Sequence, residues 1–296
     1  MDSAWEKRIH RVVEAESLWS LDSVDVYGYE CHGCGIQVYP ASYERASNKK
    51  RPYFSRREHV HANDCEVDGR PALVKRAKCG RVGRAEGFPV RFPSKLVLED
   101  HRPMERRAED QELDQGAPYR RRTRGERAAG SGAYHGHTVT TIRPMCRTFM
   151  DFPYDRQDLP ASIPGCAGTT YANLFHRLTA ARAFDRPRQL SFAPMAWSRP
   201  VRTSEYGEWK LDAGDWDKER NRRSDNVYRV RVRWGTWTER QRRVVERETE
   251  VCRKEVIGTT RKAWLFFVGS QSADDLTLIS VDDHRLICAL PGEARI

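Results

Sequence analysis

Apolar and polar positions along the chain define its elements. Residues 4–18 place Trp5, Ile9, Val12 and Val13 at helical spacing with charges between them, which predicts a short amphipathic helix at the N-terminus. Val24 to Val38 reads as a strand pair around Cys31-His32-Gly33-Cys34-Gly35. Arg70 to Gly83 predicts a helix, with Pro71 in its first turn and Gly80 near its stop. Thr169 or Thr170 is placed to cap a helix in which Tyr171, Leu174, Phe175 and Leu178 share one face. Short strands and turns fill 201–217. Then Tyr228, Val230, Val232 and Trp234 alternate with Arg229, Arg231 and Arg233, the period of a strand with one buried face. Thr238-Glu239-Arg240-Gln241 is a capping box that opens a helix to about Lys254. Lys262 to Val268 predicts a central strand, and a hairpin-like pair flanks Asp282-Asp283-His284.

Helices and strands in this order predict an α+β protein: a small N-terminal zinc-stabilised module followed by a β-rich C-terminal domain, barrel-like or a mixed sheet. The expected boundaries are an N-terminal helix at 1–19, the zinc module at 20–95, a charged flexible linker at 96–137 and the β-rich domain at 138–296. The linker combines dense charge, Arg120-Arg121-Arg122 and a Gly/Ser stretch at 130–132, too little apolar surface to offset the entropy of ordering. Its His135-Gly136-His137 offers only an adventitious metal contact.

Composition adds a partner class. Over 296 residues, Lys plus Arg number 52 and Asp plus Glu 42, a net charge of +10 that favours a polyanion. No apolar run approaches the ~20 residues of a membrane span, and the first residues carry no apolar signal core, so a cytoplasmic protein is expected. Eight cysteines without an export signal favour free thiols and a metal site over a disulfide framework.

Cys31-x-x-Cys34 and His61-x-x-x-Cys65 supply three thiolates and one imidazole, a tetrahedral set that suits zinc. All four positions are filled by protein, so this zinc is structural. His59 is the alternative nitrogen donor. Cys79, Cys146, Cys166, Cys252 and Cys288 have no partner spacing and read as small core residues. The two pairs and the intervening Arg51-Pro52-Tyr53-Phe54 resemble the zinc-binding modules at the front of bacterial competence-type (CoiA-like) and mobile-element proteins. That resemblance covers about residues 27–69. It implies a bacterial protein working near DNA, in processing, defence or a mobile element, with Cys31, Cys34, His61 and Cys65 as ligands. A nuclease-like domain can follow in such proteins, but nothing downstream matches one clearly.

Two basic sets are candidate nucleic-acid contacts, for DNA or RNA alike. Lys49, Lys50, Arg51, Arg56 and Arg57 stand beside Tyr43, Tyr53 and Phe54, and cations interleaved with aromatics suit a strand whose bases stack. Against this stands a solvated basic face whose aromatics pack the zinc core. Arg229, Arg231 and Arg233 either track phosphates or pair with acids such as Glu246, Glu248 and Glu250. Trp209, Trp216, Trp234, Trp237 and Trp264 are core residues or, for one or two, stacking platforms. Two other functions stay open: a Mg²⁺-dependent nuclease using Asp185, Glu208 and Lys210, or a non-catalytic adaptor docking a protein partner. No phosphate loop, nucleophile elbow or zincin motif is present.

Overall fold

A computed structural model describes residues 1–44, 50–63, 65–84, 87–98, 136–179, 188–213, 216–217, 222–223 and 227–294. In place of the helix expected at 1–19, the chain opens with a hairpin of β1 (Ser3–Glu6) and β2 (Arg11–Glu14). The turn at 7–10, with His10 at φ 50°, sets Ala4 opposite Val13 and Trp5 opposite Val12. Only the Ala4–Val13 pair is buried, while Ile9 and Val12 remain exposed. The same spacing thus serves a two-residue period once a turn intervenes. A 3-10 turn, Ala15–Ser20, then buries Leu18 and Trp19.

Strands β3 (Tyr29–Glu30), β4 (Gln37–Ala41) and β5 (Tyr53–Ser55) complete an antiparallel sheet in the order β2-β1-β3-β4-β5. The expected strand pair around the Cys-x-x-Cys turn is β3 and β4. Helix α1 (Glu66–Ala77) starts four residues earlier than Arg70, because Cys65 adopts the extended N-cap conformation. Pro71 consequently lies inside the helix. Ala4, Val13, Tyr29, Cys31, Val38, Phe54 and Cys65 share a small core, whereas Leu73 and Ala77 at the far end of α1 enter a much larger one.

That larger core also takes Phe92 and Leu96 of β6 (Phe92–Leu96), which pairs in parallel with β7 (Gly136–Val139). Leu96 and residues 136–137, the described edges of the expected linker, are therefore strand. Most of that segment, with Arg120–Arg122 and His135, lies outside the described residues. Helix α2 (Arg143–Asp151) follows. Helix α3 (Tyr171–Leu174) has the Thr170 cap but lasts one turn, since Phe175 begins β8 (Phe175–Arg177). The Phe175 ring is fixed by stacking on Phe149, with centroids 4.2 Å apart, while its backbone pairs with β9 (Gln189–Pro194).

The remaining strands are β10 (Val201–Arg202), β11 (Tyr206–Asp212), β12 (Trp216–Asp217), β13 (Arg222–Arg223) and β14 (Val227–Arg233), then β15 (Lys262–Gln271), β16 (Leu278–Val281) and β17 (Ile287–Gly292). Between β14 and β15 runs α4 (Glu239–Val256), opened by the expected Thr238–Gln241 capping box. Eight strands form one open mixed sheet, β10-β11-β14-β16-β15-β9-β8, with β17 also on β15. The fold is α+β, and among the described residues no barrel closes. Strand β15 is central as expected. Strands β16 and β17 pair with it rather than with each other, because the 3-10 turn His284–Leu286 separates them.

A buried ion cluster joins the small core to the large one. Arg143 forks onto Glu248 of α4 through two bonds of 2.8 Å and reaches Glu14 at the end of β2. Arg147 binds Glu16. Arg51, placed just before β5, bonds Glu16 at 3.4 Å and Glu255 at 3.1 Å. Arg143, Glu16 and Glu248 are all at or below 5% exposure, so losing one partner strands a charge out of reach of water. Burial alone would raise the Glu248 carboxyl, but Arg143, with Arg51 and Arg147 behind it, outweighs burial and holds it below its ordinary value of 4.5.

Arg143→Ala is therefore expected to cost about 3–5 kcal/mol, read from the urea midpoint. A carboxyl depressed in the folded state stabilises the fold above its unfolded value, and that contribution is lost as pH falls through the folded one. Stability is expected to fall as pH drops below 4.5, with a shallower acid limb in Glu248→Gln. Equal acid slopes in the two proteins would remove Glu248 from this role.

Candidate metal centre

The Cys-x-x-Cys turn is built by hydrogen bonds on both sides of it. Cys31 N–H donates to the Ile36 carbonyl and Gly35 N–H to the Cys31 carbonyl, each at 2.8 Å. Gly35 takes φ 75°, which its lack of a Cβ permits. Gly33 lies against Cys65, where a Cβ would stand 3.1 Å from the sulfur. The second pair comes from the loop before α1, where Cys65 N–H donates to the Ala62 carbonyl at 3.0 Å. Cys65 caps α1, so its sulfur faces the positive end of the helix.

These two segments bring the ligand atoms of Cys31, Cys34, His61 and Cys65 within 4.8 Å of one another, a group that could hold a metal ion. The Cys31 and Cys65 sulfurs are 3.8 Å apart. His61 Nδ1 lies 3.3 Å from the Cys34 sulfur and 3.5 Å from that of Cys65. Its other nitrogen, Nε2, lies 4.0 Å from an Asp68 carboxylate oxygen. His59 is elsewhere: its Nε2 is 3.3 Å from the Tyr39 hydroxyl, and its ring stacks on Tyr39. The imidazole gathered with the three sulfurs is therefore that of His61.

Main-chain amides converge on the sulfurs: Gly33 and Cys34 on Cys31, Ala62 and Ile36 on Cys34, Asp68 and Val67 on Cys65. Burial nonetheless pushes the Cys31 thiol up to about 12 and raises Cys65. Cys34 is also raised by burial, but its amides and His61 overcome that and bring it down to about 7. Two buried thiols and a half-buried one cannot share the thiolate form cheaply without a cation among them.

Of the first basic set, Lys49 lies outside the described residues, while Lys50 and Arg56 are exposed. Arg51 is not a surface contact, since Glu16, Glu248 and Glu255 surround it. Phe54 is core, Tyr43 packs against it, and Tyr53 is exposed. Arg57 lies 4.1 Å over the Tyr39 ring. On the other side Tyr27, 69% exposed, meets Tyr39 edge-on at 5.9 Å. The sequence reading missed Tyr27 and Tyr39, although Val38 and Pro40 point inward and so turn Tyr39 outward.

The β14 arginines are ion-paired, with other acids than Glu246, Glu248 and Glu250. Arg231 forks onto Glu208 at 2.8 and 3.0 Å, Arg229 binds Asp275 and approaches Glu208, and Arg233 binds Asp282 at 2.6 Å. Glu208 is thus placed between two arginines. Lys210 is exposed and Asp185 lies outside the described residues. Trp209, Trp234 and Trp264 are core, Trp237 is half-buried, and the side chain of Trp216 is outside the described residues. Cys146, Cys252 and Cys288 are buried as expected and Cys166 half-buried, but Cys79 is exposed.

No family model, no curated protein and no solved structure matches this chain. Among the described residues no helix is long and apolar enough to cross a membrane.

The geometry predicts that His61→Ala releases the metal while His59→Ala keeps full occupancy, as read by elemental analysis of the purified proteins. Loss in His59→Ala with retention in His61→Ala would reverse the ligand assignment.

Proposed function

We propose that the four-residue centre holds a structural zinc ion, and that the module it fixes binds single-stranded nucleic acid on its Tyr39 face. The metal reading rests on edge lengths. A tetrahedral zinc with Zn–S of about 2.3 Å and Zn–N of about 2.0–2.1 Å has S···S edges of about 3.8 Å and S···N edges of about 3.5 Å. The corresponding separations here are 3.8 Å, 3.5 Å and 3.3 Å. Four protein donors leave no coordination position for water, so this zinc stabilises a fold and does no hydrolysis. Thiols of this kind persist in a reducing cytoplasm.

The observation that carries the nucleic-acid reading is the cluster on Tyr39. A half-buried, outward-turned ring is flanked by Tyr27, stacked by His59 and covered by Arg57, with Arg56 and Lys50 exposed nearby in sequence. Aromatic faces stack on unpaired bases while guanidinium groups donate to the phosphates between them. A base can displace Arg57 from the ring and leave its charge for the backbone. The chain's net charge of +10 adds long-range attraction. Resemblance to competence-type modules points to the same partner class, in bacterial DNA processing or defence.

Fluorescence anisotropy with zinc-loaded protein tests this on single-stranded DNA, RNA and duplex DNA across a salt series. Single strands are expected to bind best, with affinity falling as salt rises. Tyr39→Ala is expected to cost about 1–3 kcal/mol of binding. Arg231→Ala, which removes a charge already spent on Glu208, is expected to leave the salt slope unchanged. Failure of every nucleic acid to bind at low salt would turn the reading to an adaptor that docks a protein.

A further inference from the structure

Further along the chain, Trp197 stands 61% exposed just after β9. It borders a cavity of about 100 Å³ lined also by Met195, Asp212, Arg253, Arg261 and Lys262. Four elements meet there: the end of β9, the last residue of β11, the last turn of α4 and the start of β15. Three cations thus surround one carboxylate. The two guanidinium groups are held by neutral carbonyls, Arg253 by that of Trp197 and Arg261 by that of Pro291 at 2.9 Å. Such bonds orient a guanidinium without cancelling its charge. Among the described residues neither arginine has an ion-pair partner within 4.0 Å. Arg253 also lies over the indole, 5.8 Å from its centroid. Burial and the nearby charge of Arg202 both disfavour the charged form of Arg253.

We propose that this cavity binds a nucleoside phosphate, with the phosphate among Arg253, Arg261 and Lys262 and the base on the exposed face of Trp197. The arginine fork matches the tetrahedral oxyanion, and the indole supplies a stacking surface. Ligand cavities for whole small molecules run to about 300–1,000 Å³, so this one takes the phosphate and leaves the base outside, on the ring. The unit recognised is the same whether it is a free nucleotide or one residue of a strand. The residues are distinct from the Tyr39 face, so the two sites stand or fall separately.

Calorimetric titration of the full-length, zinc-loaded protein tests the proposal with a nucleoside monophosphate, the matching nucleoside, inorganic phosphate and a short oligothymidylate. The monophosphate is expected to bind more tightly than either fragment. Trp197→Ala is expected to weaken it about tenfold while leaving phosphate binding intact. Arg261→Glu is expected to weaken monophosphate and phosphate together. Both positions are exposed, and matching melting curves would show that the variants fold. In a Tyr39→Ala background, monophosphate displaced by oligothymidylate assigns the site to a strand, and monophosphate retained assigns it to a free nucleotide. Either result supports the cavity as a nucleoside phosphate site. A flat monophosphate titration, or one that both variants leave unchanged, overturns it, even if Tyr39→Ala still abolishes strand binding.

Discussion

Three cysteine sulfurs and an imidazole nitrogen gathered within 4.8 Å are the constraint on which the N-terminal half rests. The small core around them is made of few large side chains, Leu18, Tyr29 and Phe54 chief among them. A core of that size supplies little stability of its own, and domains of this kind are completed by metals or disulfides. Here the donors link the β3–β4 turn to the first residue before α1. Fixing Cys65 fixes the start of the helix, and the helix carries Leu73 and Ala77 into the large core. The clustered donors therefore tie the β3–β4 turn to an element that belongs to both halves.

The ion cluster around Arg143 does complementary work. Glu14, Glu16 and Arg51 come from the N-terminal sheet and the segments beside it, whereas Arg143, Arg147, Glu248 and Glu255 come from α2 and α4. Apolar contacts would tolerate sliding between the two cores. Forked bonds in a water-free space tolerate little, because each misaligned charge is left unsolvated. The outward Tyr39 face is thereby held on a rigid support.

Much of this was legible in the sequence where one period or spacing had a single solution. The alternation of β14, the capping box of α4, the apolar run of β15 and the two metal-ligand pairs all fall in that class. The N-terminal hairpin was not legible, since Trp5, Val12 and Val13 satisfy a helical period as well as two strands joined at 7–10. The start of α1 was missed because Pro71 looked like a first-turn residue, while the true N-cap is a cysteine. Charge counting also misled at particular residues. Arg51 finds its partners Glu248 and Glu255 some two hundred positions away, and Arg231 finds Glu208 across a strand pair. Local sequence shows neither. Trp197 carried no periodic signal at all, and only its exposure beside three cations marks it.

The centre itself is tested most directly by X-ray absorption at the zinc edge on protein purified without added chelator. The account predicts a first shell of three sulfurs at about 2.3 Å and one nitrogen at about 2.0–2.1 Å. A shell of oxygen and nitrogen alone, or no bound metal with the N-terminal fold intact, would contradict it.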